Sequence, residues 1–326
     1  LFFSKEDLNL FFELIIKSRS DAKKNKNIIL RNQLYAYGKY GEVNPASNNL
    51  NTKDLEDLRV EDLTDLIKNL SNYSHRILYY GKMNQNSLSH MVKTYHKIPE
   101  SFSEIINIEN YKEKIYDQEY IFWTHFDMVQ TEIILLSKLE LLDNAKTAAI
   151  RLFNQYFGAG MNSIVFQEIR EAQGLAYSVY STFSQANKPD RSDYLYSYIG
   201  IQSDKQSEAL SSMFSLINNL PESQQAFEIS KKAILNKIES ERITKSSVLY
   251  SYLNAEKRGI NFDIREQVYN EVKAMDLEKL LKFHKTYIKD KPHNILLIGN
   301  RDKIDFKNLK KYGIIKEVSL DELFGF

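Results

Sequence analysis

Residues 175–202 read LAYSVYSTFSQANKPDRSDYLYSYIGIQ, two stretches rich in aromatic and β-branched residues on either side of a turn. In the first stretch Leu175, Tyr177, Val179 and Phe183 fall on one face, and Ala176, Ser178 and Tyr180 on the other. Pro189 and Asp190 supply the turn chemistry between them. Upstream, EYIFWTHFDMVQTEIILLSKLE (119–140) reads as two more strands around a turn near Asp127 to Gln130. A helix is expected from Asn144 to about Phe157, then a break at Gly158-Ala159-Gly160. A short helix follows from Asn162 or Ser163 to Gln173, stopped by Gly174. Beyond the hairpin come a helix from Lys205 to Asn219 and a very long one from about Glu222 to Gly259, kinked near Ser246-Ser247. Runs of helices beside antiparallel strands predict an α+β fold, a mostly antiparallel sheet covered by helices, rather than a doubly wound one.

The N-terminal hundred residues predict a helix capped at Ser4, with Asp7 three positions on and Leu8, Phe11, Phe12, Ile15 and Ile16 at helical spacing. A second helix covers NIILRNQLYAYG and ends at Gly38; KYGEVNPASNNLNT is a loop. A third runs from about Thr52 through EDLRVEDLTDLIKNL and leads into a short strand, RILYYG, ending at Gly81. A helix over NSLSHMVKTYH follows and stops before Pro99. The tail repeats this order, with the helix of MDLEKLLKFHKTYIKD leading through KPH into the strand NILLIG, which ends at Gly299. The repetition divides the chain into the end of one module, residues 1–110, and a complete second module, residues 111–326. The first module is then incomplete, and the start at Leu1 agrees with a fragment of a longer chain.

At 326 residues the chain can bury sizeable cores, and its 44 Lys and Arg against 43 Asp and Glu leave a formal charge of +1. That balance gives no bulk basic excess for nucleic acid, and the one dense basic run, Lys23, Lys24 and Lys26, reads as a solvated loop. With no cysteine there is no thiol catalysis, thiolate metal site or disulfide. No apolar run approaches the roughly 20 residues of a membrane-spanning helix, so no membrane insertion is expected.

Six histidines stand at 75, 90, 96, 125, 284 and 293. His90 and His96, about 600° apart around a helix, cannot share an ion, and no H-x-x-E-H or H-x-x-H pair occurs, so each His reads as a surface or strand-end residue and no metal site is expected. The Gly158 to Gly160 turn follows a helix rather than a strand and so fails the phosphate-loop context. The informative segment is Tyr156 to Ser181. Arg170 falls in the last turn of the short helix and Tyr177 just past the Gly174 turn, so a reversal of direction can bring both tips to one side. A guanidinium and a phenol suit peptide carbonyls or an oxyanion; a helix-terminal cation and a sheet-packing ring are the plainer roles. Phe157, Gly158, Gly160, Met161 and Asn162 border the same segment and could line a substrate wall, with core packing and helix capping the alternatives. Phe166 and Ile169 are core positions, and Tyr196 and Tyr198 are candidates for standing near Tyr177.

The block GAGMNSIVFQEIREAQGLAYSV resembles the signature of the C-terminal half of the pitrilysin and insulysin family of zinc metallopeptidases. The spacing in R-E-x-x-G-L-A-Y carries the likeness. VEDLTDLIKNLSNYSHRILYYGKM and MDLEKLLKFHKTYIKDKPHNILLIGN resemble the paired module ends of that fold. The resemblance implies two halves of two modules each, closing around an extended oligopeptide or unfolded segment. Zinc would lie in the N-terminal half, and Arg170 and Tyr177 would reach across to hold the substrate backbone and the tetrahedral intermediate. It implies that this chain alone, lacking the inverted zinc motif, carries no cofactor and is inactive. Its partners would be the N-terminal catalytic half and the peptide. Similarity to long bacterial members points to the periplasm or cell envelope. A different class also fits: a non-catalytic scaffold, or the inactive subunit of a processing-peptidase pair.

Overall fold

In the computed structural model, residues 4–105 and 109–326 are described. Leu1 lies outside them. Six strands form one sheet in the order β3-β4-β2-β5-β1-β6. They are β1 (Tyr120–His125), β2 (Gln130–Leu141), β3 (Ser178–Ser184), β4 (Ser192–Gln202), β5 (Asn294–Gly299) and β6 (Ile314–Glu317). The 175–202 hairpin forms as expected, with Tyr180 opposite Tyr198 and Phe183 opposite Leu195. β4 and β5 flank β2, both antiparallel, whereas β1 runs parallel to β5 and β6. The two strands of 119–140 therefore form but do not pair with each other, because β5 inserts between them. The class is α+β with a mostly antiparallel sheet.

In chain order the first helices are α1 (Lys5–Ala22), α2 (Lys26–Ile28), α3 (Tyr35–Tyr40), α4 (Thr52–Glu56), α5 (Val60–Asn69) and α6 (Gln85–Tyr95). The capping box of α1 is present: Ser4 Oγ accepts from the Asp7 amide at 3.1 Å, and Asp7 Oδ2 accepts from the Ser4 amide at 2.9 Å. Its apolar stripe is only partly used. Leu8 and Phe12 are buried with Leu55 of α4, whereas Phe11 and Ile16 are exposed, since α4 is too short to cover them. A π-helical stretch, Ile29–Leu34, joins α2 to α3. The α2–α3 rod runs past Gly38, the expected end, to Gly41, whose φ of +86° is backbone that favours glycine. Gly38 has another task. A Cβ there would lie 2.6 Å from Leu296 Cδ2, so the missing side chain lets the helix sit close on the sheet.

The third expected helix is broken at Asp57–Arg59 into α4 and α5, with the Asp62 carboxylate accepting from the Arg59 amide at 2.9 Å. RILYYG forms no strand: Ile77, Leu78, Tyr79 and Tyr80 are all exposed. Every described strand lies between residues 120 and 317, so this stretch meets no ladder partner; the nearby pairing is the single Tyr73–Ser103 bridge. The repeat between the two module ends is therefore visible as helix (α5 and residues Leu277–Tyr287) but not as strand.

The remaining helices are α7 (Thr147–Phe153), α8 (Gln206–Asn218), α9 (Gln224–Ser240), α10 (Ser246–Lys257), α11 (Ile264–Ala274), α12 (Leu277–Tyr287), α13 (Phe306–Leu309) and α14 (Leu320–Phe324). The very long helix expected over 222–259 is two helices. β-branched Ile243 and Thr244 precede Lys245, whose φ of +52° takes the chain out of helical space before α10 begins. Helices α7, α8, α9, α11 and α12 bury one face of the sheet, against Ile133, Leu135, Val179, Ile199 and Leu297. On the other face Ile29, Leu30, Leu34 and Tyr37 of the α2–α3 rod, with Leu323 and Phe324 of α14, pack on Phe122, Ile134, Leu296 and Ile298. Full burial of each such side chain is worth about 1.5–3 kcal/mol, so both layers hold the sheet rigid beneath its end loops.

Each histidine was expected at the surface or a strand end; His293 does stand at the start of β5 but is buried, and His284 is buried within α12, against that expectation. His284 of α12 donates Nε2–H to the Ile217 carbonyl at 2.6 Å. His293, in the turn before β5, is 5% exposed and stands edge-on to Phe214. Burial pushes both pKa values down, His293 to about 4. Between pH 4 and 6.5 the unfolded chain therefore binds protons that the fold refuses. Stability is full above about pH 6.5 and falls as pH drops toward 4, with His293 contributing on the order of 2–3 kcal/mol. Urea titrations at pH 7 and pH 4.5 should show this loss, and His293→Phe should show a shallower one; equal slopes in the two proteins would refute it.

Candidate functional site

From Gly160 onward the chain makes one helical turn at Ile164 and Val165 and continues as a π-helix, Phe166–Ala172. Arg170 lies in its last turn. Gly174, at φ +62°, reverses the chain, and the Leu175 amide returns to the Ile169 carbonyl at 2.9 Å. The Tyr177 amide then donates to the Gly200 carbonyl at 2.9 Å, which sets this residue at the head of β3. Tyr177 was expected on one face of the strand with Leu175, Val179 and Phe183, which are buried. It is 53% exposed instead, because it precedes the regular strand and overhangs its end. Gln202, the last residue of β4, donates Nε2–H to Tyr177 Oη at 2.6 Å. The Gln202 amide thus occupies an acceptor site of the phenol and leaves its own O–H proton free to donate.

Tyr177 borders a cleft of about 790 Å³ whose other walls include Lys26, Gln130, Gln202, Asp204 and Lys303. Arg170 does not line it. Its side chain is 46% exposed, with the guanidinium 4.8 Å from the Phe166 ring centroid and Nε 3.6 Å from Glu171 Oε1. Among the described residues no hydrogen bond joins Arg170 to Tyr177; both present free donors to solvent on either side of the Gly174 reversal.

The neighbouring candidates divide into packing and display. Gly158 is buried, and a Cβ on it would fall 1.9 Å from the Ser181 carbonyl oxygen, so glycine lets the end of the α7 segment lie against β3. Phe157, beside it, is wholly buried, and so is Ile169, while Phe166 is only partly so. Gly160 has φ +85° with open space where a Cβ would go. It turns the loop so that Met161, 73% exposed, and Asn162 face solvent. Ser163 secures this turn, donating Oγ–H to the Gly160 carbonyl at 2.8 Å.

Tyr196 and Tyr198 do not stand with Tyr177. The two-residue period of the strands sets them opposite Thr182 and Tyr180, on the face covered by the α2–α3 rod. There Tyr180 stacks on both, at 5.9 and 5.2 Å, and Arg31 lies 4.5 Å over Tyr198 while donating to Tyr180 Oη at 3.1 Å. Burial drives both phenol pKa values up, so these rings stay neutral. Next to this stack Lys26 Nζ sits 2.5 Å from Oε1 of Glu132, whose side chain is 4% exposed. Lys23 pairs with Asp321 at 2.8 Å. Two of the three lysines expected in a solvated loop are therefore in ion pairs. Glu132 was readable only as an odd carboxylate inside an apolar strand; Arg31 had no signal beyond its helix.

No three His, Asp or Glu side chains among the described residues come together as a metal site. The residues present do not fit a catalytic zinc.

The sequence profile of the peptidase M16 inactive domain matches residues 58–234, more than half of the chain, and spans both Arg170 and Tyr177. The chain belongs to the peptidase M16 inactive domain family. Solved structures agree on the fold. A peptidase M16 inactive domain from Pseudomonas fluorescens superposes with a TM-score of 0.68 at 15% identity, covering 91% of this chain and 71% of that one. A conserved protein from Enterococcus faecalis gives 0.70 at 15%, covering 92% and 69%. A protease from Helicobacter pylori gives 0.67 at 12%, covering 91% and 73%. No curated protein matches. Membership of this family is consistent with a non-catalytic M16-like module.

Proposed function

We propose that this M16 module is the substrate-holding half of a zinc metalloendopeptidase that cleaves oligopeptides or unfolded segments, with Tyr177 and Arg170 gripping the peptide backbone. The observation that carries the reading is Tyr177: an exposed phenol at a cleft, its oxygen fixed by Gln202 and its proton left to donate. A donor so held is aimed without reorganisation at a carbonyl oxygen that gains charge during hydrolysis. Arg170, with five N–H donors, a long contact to Glu171 and one face over the Phe166 ring, can hold a neighbouring carbonyl. Met161 and Asn162, on the glycine-turned loop, extend the wall for an extended chain. Water activation is assigned to the partner half, since no zinc ligand set forms among the described residues.

Arg170→Ala in the assembled enzyme tests the role. Peptide kcat/KM should fall at least about tenfold, with the two halves still co-eluting. Unchanged kcat/KM would remove Arg170 from the site. The rival reading, a scaffold or inactive subunit, draws support from the family's description as inactive; it predicts no effect of either residue on turnover.

A further inference from the structure

Away from the cleft, two histidines from separate segments meet. His75 follows the Tyr73–Ser103 bridge, and His96 closes α6. Their Nε2 atoms are 2.6 Å apart, with the rings nearly perpendicular at 85°. His75 Nδ1 lies 2.7 Å from the Tyr73 carbonyl. A carbonyl only accepts, so Nδ1 carries the proton and the Nε2 lone pair of His75 is directed at His96. That arrangement, one ring nitrogen donating to a backbone carbonyl and the other presented outward, is how proteins prepare an imidazole for a metal. Phe102 flanks His75 edge-on at 6.0 Å, giving the ring an apolar side wall.

We propose that His75 and His96 form a two-imidazole site for a borderline divalent cation, Zn²⁺ or Ni²⁺, completed by water. Metal–nitrogen bonds of about 2.0–2.1 Å in tetrahedral geometry set the nitrogens roughly 3.3 Å apart, so the rings need part by less than about 1 Å. His75 is exposed and His96 half-buried, and both rings have room to do so. The ion takes the place of the proton now shared between the two rings. It clips the strandless stretch after Tyr73 to the end of α6, in the part of the chain that no sheet holds. His90, six residues before His96 on another face of α6, takes no part.

Calorimetric titration of the tag-free chain with ZnCl₂ near neutral pH tests this, with ¹⁵N imidazole spectra identifying the nitrogens engaged. One equivalent should bind and shift the ring signals of two histidines. His75→Ala and His96→Ala should each weaken binding about tenfold or more, while His90→Ala binds as the parent does. No binding, binding that survives both substitutions, or perturbation of histidines other than these two would overturn the proposal.

Discussion

Tyr177→Phe, with the chain assembled on the catalytic half proposed for it, should lower peptide kcat/KM by about 10²-fold, the usual consequence of deleting one donor to a developing oxyanion. The substitution removes one oxygen and keeps the ring. Because that ring is 53% exposed and its one hydrogen bond is to the Gln202 side chain, melting temperature should barely move. The loss should fall on kcat rather than KM, since the bond strengthens as charge develops on the carbonyl oxygen. A fall in KM affinity alone would make Tyr177 a binding residue of the ground state. No change in either parameter would return it to plain surface structure.

Gly158→Ala should destabilise the chain by about 3 kcal/mol, the upper end of the range for overpacked sites. The added Cβ would meet the Ser181 backbone oxygen at 1.9 Å, and a backbone atom held in the β3 ladder cannot swing aside as a side-chain tip can. Gly160→Ala, two residues away, is the internal control. Its φ of +85° costs a Cβ roughly 1–2 kcal/mol of backbone strain, but nothing lies within 4 Å of the new methyl. Chemical denaturation of both variants separates the two glycines. Equal destabilisation would mean that close packing on β3 is not what Gly158 supplies.

The parts of the fold legible in the sequence were those fixed by local signals. Ser4 and Asp7 wrote the first cap, Gly174 the reversal before β3, and the turn at Pro189 and Asp190 the hairpin. What the sequence left hidden depends on distant partners. RILYYG has strand composition but finds no ladder, and β1 and β2 are adjacent in sequence yet separated in space by β5, which arrives more than 150 residues later. The site divides in the same way. The chain reversal at Gly174 between Arg170 and Tyr177 was legible by spacing, while the separation of the two side chains, the exposure of Tyr177 and the Gln202 bond that orients its phenol depend on where β4 ends. The meeting of His75 with His96 was invisible to helical periodicity, since neither lies within a helix, His96 being the extended cap that follows α6.

The central claim, that this M16 inactive domain completes a peptidase by holding the substrate, is tested most directly by cleavage of a fluorogenic peptide in the presence of zinc. Three samples suffice: this chain alone, the separately expressed catalytic half alone, and the two combined and shown to co-elute. The account predicts turnover in the combined sample and none in either half. Cleavage by this chain alone, or a catalytic half whose rate is indifferent to this chain once the two are bound, would contradict it.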